Sequence, residues 1–171
     1  VAEQPDAPAL RDAFAALSYR ELHDASVAAA RQLQALGLRA GDRLLVVGEN
    51  CVALGVWVLA ASRLDVWMVV ANARLSEREI DLFIEHAQPR RVLYTPHVSP
   101  EAERHAARHG TENLDWPGLG QIPVGALNQS AQPEACFDDP REQVGCVLYT
   151  SGTSGAPKGV MLTHASMMFT A

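Results

Sequence analysis

Residues 43–70 read RLLVVGENCVALGVWVLAASRLDVWMVV. Arg43-Leu-Leu-Val-Val47 is a short apolar run with the character of a buried strand. Asn50 stands where it would cap a helix running to about Arg63, and that helix is apolar nearly all round. A helix of this kind belongs inside, between layers. Trp67-Met-Val-Val70 is the next strand. Strand, buried helix and strand in succession form the unit of a parallel sheet covered on both faces.

The flanks continue the alternation. Upstream, Ser18 and Glu21 have the spacing of a capping box. Leu22, Ala29, Leu33 and Leu36 then line one helical face, Gly37 supplies the stop, and Ala40-Gly41-Asp42 turns the chain into the strand. Downstream, Ser76 and Glu79 form a second capping box, with Ile80, Phe83, Ile84 and Ala87 on one face and Pro89 at the end. Arg91-Val-Leu-Tyr94 is a strand, and Ser99-Pro100 opens a helix to about His109. The stretch from Asp115 to Gln143 is polar and rich in Gly and Pro, with one strand expected at Ile122–Val124. Val144–Tyr149 is a further apolar strand. The expected class is α/β, a doubly wound, mainly parallel sheet.

The chain has 171 residues, 48% of them apolar and 20% charged, which excludes a disordered polypeptide. Its net charge of −6, with Lys and Arg scattered, argues against a nucleic-acid groove. The longest charge-free apolar run lies between Glu49 and Arg63, short of the roughly 20 residues a bilayer requires. The N-terminus lacks the layout of a signal peptide. Cys51, Cys136 and Cys146 form no CxxC pair and read as reduced core residues. Together these features predict a cytoplasmic protein. The chain ends on Thr163-His-Ala-Ser-Met-Met-Phe-Thr-Ala171, the start of an apolar helix, so the 171 residues are expected to be the front part of a longer protein. The truncated apolar surface at the sheet edge and at Met167, Met168 and Phe169 predicts that the isolated segment aggregates or forms a homodimer.

The chemistry is concentrated in Tyr149-Thr-Ser-Gly-Thr-Ser-Gly-Ala-Pro-Lys-Gly-Val160. Thr150 to Gly159 holds four hydroxyls, three glycines, one proline and one lysine, and no acid. Glycines let backbone N–H groups approach an anion closely, hydroxyls add donors, and Lys158 adds a compact positive charge. Such a loop suits polyphosphate. It is not a Walker A loop, since no Gly-Lys pair occurs and Gly159-Val-Met-Leu-Thr163 has the composition of a strand where a Walker loop opens a helix. No GxGxxG is present, which weighs against a Rossmann dinucleotide site.

This segment resembles the phosphate-loop signature of the adenylate-forming superfamily, Y-[TS]-S-G-[TS]-[TS]-G-x-P-K-G-V, and Leu162-Thr163-His164 continues the match. Looser likeness extends through Leu17–Leu22, Gly41–Leu44, Glu49-Asn50 and Asn72–Leu75, so it covers essentially the whole chain. The resemblance implies that residues 1–171 are the N-terminal part of an AMP-binding domain ending just after the loop at 150–159. It implies a ligase that activates a carboxylic acid, fatty or aryl, with ATP to an acyl-adenylate, releases pyrophosphate, and transfers the acyl group to CoA. Thr150, Ser151, Gly152, Thr153, Ser154, Gly155 and Lys158 would hold the β- and γ-phosphates. Mg2+ would be held mostly by residues outside this chain, and the catalytic residues are expected beyond Ala171, leaving the segment alone inactive. The alternatives are an amino-acid adenylation domain loading a carrier protein and a non-catalytic nucleotide-binding remnant.

Other signals read as structural. His105 and His109 are four apart but lack an intervening acid and a third ligand, so they read as an exposed polar face. His164 reads as a helix-start residue near the nucleotide. Tyr94, Trp57 and Trp67 read as core aromatics, Arg90-Arg91 as a solvated pair, and Asp138-Asp139 as turn chemistry.

Overall fold

The structure, a computed structural model, describes residues 3–150 and 157–169. In chain order these form β1 (Pro8–Arg11), β2 (Ala16–Ser18), α1 (Tyr19–Ala35), β3 (Arg43–Gly48), α2 (Val52–Ser62), β4 (Trp67–Asn72) and α3 (Glu77–Ala87). They continue as β5 (Arg91–Tyr94), α4 (Pro100–Arg108), β6 (Glu112–Trp116), β7 (Gly120–Val124), β8 (Val144–Thr150), β9 (Lys158–Thr163) and α5 (His164–Phe169). Seven strands make one sheet in the order β6-β7-β5-β3-β4-β8-β9, and β1 and β2 form a separate hairpin. The four central strands, β5, β3, β4 and β8, run parallel. Antiparallel hairpins close both sides, β6–β7 beside β5 and β9 beside β8. The α/β, doubly wound class is therefore observed.

Burial follows the period of a strand covered on both faces. In β3, Leu44 and Val46 point into a core with Leu33, Val56, Trp57 and Trp116, from the α1–α2 layer and the β6 strand. Leu45 and Val47 point the other way, into a core with Ile80, Tyr94 and Ala102 from the α3–α4 layer. All four are at most 1% exposed, so each contributes about 1.5–3 kcal/mol of apolar burial. Trp57 and Trp116 meet edge to face with centroids 5.5 Å apart, and Tyr94 and Trp67 are also buried, as the sequence predicted for Tyr94, Trp57 and Trp67.

Both capping boxes form, Ser18 with Glu21 and Ser76 with Glu79. The cap of α2 departs from expectation. Its N-cap residue is Cys51, without a side-chain hydrogen bond, and Asn50 does not cap it. Asp12, from the turn between β1 and β2, accepts from Val52 N at 2.7 Å instead. The same hairpin explains how an all-apolar helix is covered: a Cβ on Gly55 would lie 2.6 Å from Leu10 Cδ1, so β1 packs directly on the backbone of α2.

Three further expectations are corrected. Of the cysteines expected in the core, Cys146 is buried, but Cys51 is half-buried and Cys136, in the polar stretch before β8, is exposed. His105 is buried, not exposed: its Nε2–H donates to the carbonyls of Ala73 (3.1 Å) and Leu75 (3.2 Å), tying α4 to the turn after β4. His109 is also mostly covered, its Nδ1 being 2.6 Å from the Tyr94 hydroxyl. Arg90 and Arg91 are not a solvated pair. Arg90 donates to the carbonyls of Gly37 and Asn128, and Arg91 to those of Leu36 and Gly125, so both guanidinium groups satisfy chain ends packed beside β5.

Candidate functional site

In an open α/β sheet, ligands bind outside the carboxyl ends of the parallel strands. Here that edge is formed by the ends of β3, β4, β5 and β8. Gly48 closes β3, and a Cβ there would run into Thr95 Oγ1 just after β5, so two strand ends touch where a side chain would separate them. The Thr95 hydroxyl is buried and accepts from Glu49 N at 3.4 Å. The Glu49 carboxylate takes a two-pronged bond from Arg74, Nε to Oε1 at 3.1 Å and Nη2 to Oε2 at 3.0 Å. Asn72 Oδ1 fixes the turn beneath by accepting from Arg74 N. Nearby, the Val52 amide, and then those of Phe14 and Ala15, hold the Asp12 carboxyl below the usual carboxylate range. Burial pushes the His97 imidazole down.

β8 ends at the same edge, and the segment of Gly, Ser and Thr residues leaves from its last residue. The two flanking strands are observed: β8 and β9 pair antiparallel from Val144 opposite Thr163 to Thr150 opposite Lys158. The backbones of Thr150 and Lys158 thus face each other at the mouth of the hairpin. Lys158 is exposed and has no ion-pair partner among the described residues. Ser151, Gly152, Thr153, Ser154 and Gly155 lie outside the described residues.

Tyr149, one residue before the mouth, is gripped by α3. Its ring stacks on Phe83 (centroids 4.4 Å, planes 24° apart) and meets His86 edge-on at 5.6 Å. The Tyr149 hydroxyl and His86 Nδ1 share a hydrogen bond of 2.8 Å. Burial pushes the phenol up from its ordinary value, so it stays protonated. Composition and spacing placed Phe83 on the inner face of α3, but gave no sign that Tyr149 would be its partner.

His164 is not near this mouth. It starts α5 at the opposite end of the hairpin, six residues along β9 from Lys158, or roughly 20 Å at strand rise. There its Nε2 is 3.2 Å from Ser62 Oγ and its Nδ1 3.1 Å from the Pro140 carbonyl. Gly145 leaves room for the ring, since a Cβ would come within 2.6 Å of His164 Cδ2. An open groove of about 490 Å³ beside it is lined by Pro140, Arg141, His164, Ala165, Met168 and Phe169. It has one cationic side chain and no hydroxyl cluster, and it lies at the end of the hairpin opposite Lys158. No group of three or more His, Cys, Asp or Glu able to hold a metal is found among the described residues, and Glu49 is committed to Arg74. No helix among the described residues is long and apolar enough to cross a membrane.

The β8–β9 hairpin opens at the carboxyl edge of a doubly wound sheet, where folds of this class bind ligands. All 171 residues match the family of AMP-binding enzymes, and the chain belongs to that family. It is 30% identical over 164 residues to a feruloyl-CoA synthase from Amycolatopsis, covering 95% of this chain and 31% of that protein. It is 28% identical over 153 residues to the long-chain-fatty-acid–CoA ligase FadD13 of Mycobacterium tuberculosis, covering 88% of this chain and 30% of that one. Among solved structures it is similar to the o-succinylbenzoate CoA synthetase of Bacillus subtilis in complex with an acyl-adenylate intermediate. That likeness has TM-score 0.71 and 26% identity over 99% of this chain and 42% of the other. The chain thus spans about a third of the length of the curated relatives it matches.

Proposed function

We propose that this chain is the N-terminal part of the adenylation domain of an ATP-dependent acid–CoA ligase, and that it supplies the phosphate-holding half of the site. The observation that carries the reading is the β8–β9 hairpin. It brings Lys158 and the backbone of Thr150 together at the carboxyl edge of a parallel sheet, in a chain of the AMP-binding family.

In the proposed reaction a carboxylate oxygen attacks the α-phosphorus of ATP. The bond from that phosphorus to the bridging oxygen breaks, and pyrophosphate leaves with the negative charge. Lys158, with Thr150, Ser151, Gly152, Thr153, Ser154 and Gly155, would hold the β- and γ-phosphates and stabilise the leaving pyrophosphate. A contact from a charged group is worth about 1.5–3 kcal/mol, or about ten- to a hundredfold in nucleotide affinity. Pro157 fixes the backbone angle just before Lys158, limiting how far that side chain can wander. The CoA thiol would then attack the acyl carbon of the adenylate, the bond from that carbon to the phosphate oxygen would break, and AMP would leave. ATP would enter as its Mg2+ complex, the metal neutralising phosphate charge.

Relatives acting on a feruloyl and a long-chain fatty acyl group favour an aryl or fatty acid as the substrate class. The test is ATP–pyrophosphate exchange with panels of aryl, fatty and amino acids. Exchange that depends on an aryl or fatty acid is expected. Exchange confined to amino acids would move the assignment to a carrier-loading adenylation domain, and ATP binding without exchange for any acid would reduce it to a nucleotide-binding remnant.

A further inference from the structure

We infer that Phe83 and His86 of α3 act as a positioning clamp on Tyr149 that sets the place of Lys158 and hence the affinity for ATP. This rests on the phosphate role proposed for Lys158.

Three observations carry it. First, β9 lies at the end of the sheet order, with β8 as its sole strand partner among the described residues. Nothing in the sheet itself fixes the mouth of the hairpin from the far side. The far end is tied down separately, by His164 on Ser62 and Pro140.

Second, Tyr149 joins the mouth to the body of the fold from both sides. On one side it takes the Phe83 stack and the His86 bond, from residues three apart on one face of α3. On the other it lies against β9: its register partner is Gly159, the neighbour of Lys158. A Cβ on Gly159 would be 3.5 Å from Tyr149 Cζ and 2.9 Å from Val147 Cγ1. The backbone beside Lys158 therefore rides on the Tyr149 ring, and a shift of that ring is passed to Lys158.

Third, the polar half of the clamp is not needed for packing. A phenylalanine at 149 would stack on Phe83 equally well, and His86 is exposed. What the hydroxyl–imidazole bond adds is direction, because it fixes the long axis of the ring relative to α3. That is the property a phosphate-binding lysine requires, since small displacements of a binding group cost affinity steeply.

The test measures ATP dissociation constants by calorimetry, and melting temperatures, for the purified protein and its Tyr149→Phe, His86→Ala, His86→Asn and Lys158→Ala variants. Tyr149→Phe and His86→Ala are each expected to raise the ATP Kd about three- to tenfold, with the double variant no worse than either alone. Melting temperatures should stay within about 2 °C of the parent. His86→Asn, which keeps a polar atom at the Nδ1 position, should restore most of the affinity. An unchanged Kd in His86→Ala, with Lys158→Ala weakened, would overturn the clamp and leave the phosphate assignment standing. Loss of affinity that tracks a fall in melting temperature and is not rescued by asparagine would make the contact merely structural, overturning the inference. An unchanged Kd in Lys158→Ala would remove the phosphate assignment, and the clamp with it.

Discussion

Asp12 Oδ2 lies 2.7 Å from the amide nitrogen of Val52, so a hairpin turn caps a helix 40 residues further along the chain. The bond replaces the local cap that α2 lacks, and it holds β1 against the one helix that has no polar face. It also places a carboxylate beside the edge where β3 ends.

Asp12→Ala is expected to destabilise the fold by about 1–2 kcal/mol, the usual cost of losing an N-cap. The pH dependence has a definite sign. Backbone amides lower the folded pKa of Asp12, so its contribution is complete above the unfolded value and lost as pH falls through the folded one. Urea unfolding should show the gap between parent and variant at full size near neutrality and shrinking below about pH 4. A gap that did not change with pH would remove the carboxylate from the account.

Gly48→Ala should cost about 1–3 kcal/mol, because the new methyl group runs into the buried Thr95 hydroxyl and side chain. Chemical denaturation would show a lower midpoint at unchanged slope. Pairing it with Thr95→Ala should recover part of the loss, since the atom met most closely is the Thr95 hydroxyl oxygen, whereas Thr95→Ser, which keeps that oxygen, should recover less.

Tyr94→Phe removes the 2.6 Å bond to His109 Nδ1 beneath α4. Burial already pushes the Tyr94 phenol far up, so it is a neutral donor around neutral pH. The expected loss is about 1 kcal/mol, without pH dependence from the phenol itself. Thermal unfolding checks it.

Val160 and Met161, on the strand at the end of the sheet, are 47% and 59% exposed, and Leu148 beside them 43%. An apolar edge of this kind invites pairing with another chain. Val160→Lys with Met161→Lys should reduce concentration-dependent association in sedimentation or light scattering. Unchanged association would place the sticky surface elsewhere.

Much of the fold was legible because it rests on local rules. Ser18 with Glu21 and Ser76 with Glu79 satisfy helix starts within four residues, and the 43–70 stretch carries the period of a covered strand and a buried helix. What escaped was non-local. Strands β1, β2 and β6 are short or polar, and β6 is held by pairing with β7 rather than by its own pattern. Nothing near α2 in sequence shows that its cap comes from Asp12. His105 and the Arg90–Arg91 pair look like surface residues until their hydrogen bonds to distant carbonyls are seen. At the site, the loop signature and its strand flanks were readable in order, whereas the grip of Phe83 and His86 on Tyr149 spans more than sixty residues. His164 follows the loop closely in sequence yet lies at the other end of the hairpin, because an extended strand carries the chain away from its turn.

The most direct measurement is the ATP dissociation constant of Lys158→Ala beside that of Arg104→Ala, whose guanidinium is exposed and pairs with Glu101. Arg91 would be a poor comparison, since it holds the carbonyls of Leu36 and Gly125. The account predicts that Lys158→Ala weakens ATP about ten- to a hundredfold while Arg104→Ala leaves it unchanged. Equal affinities in the two variants would contradict the assignment of the β8–β9 hairpin as the phosphate site.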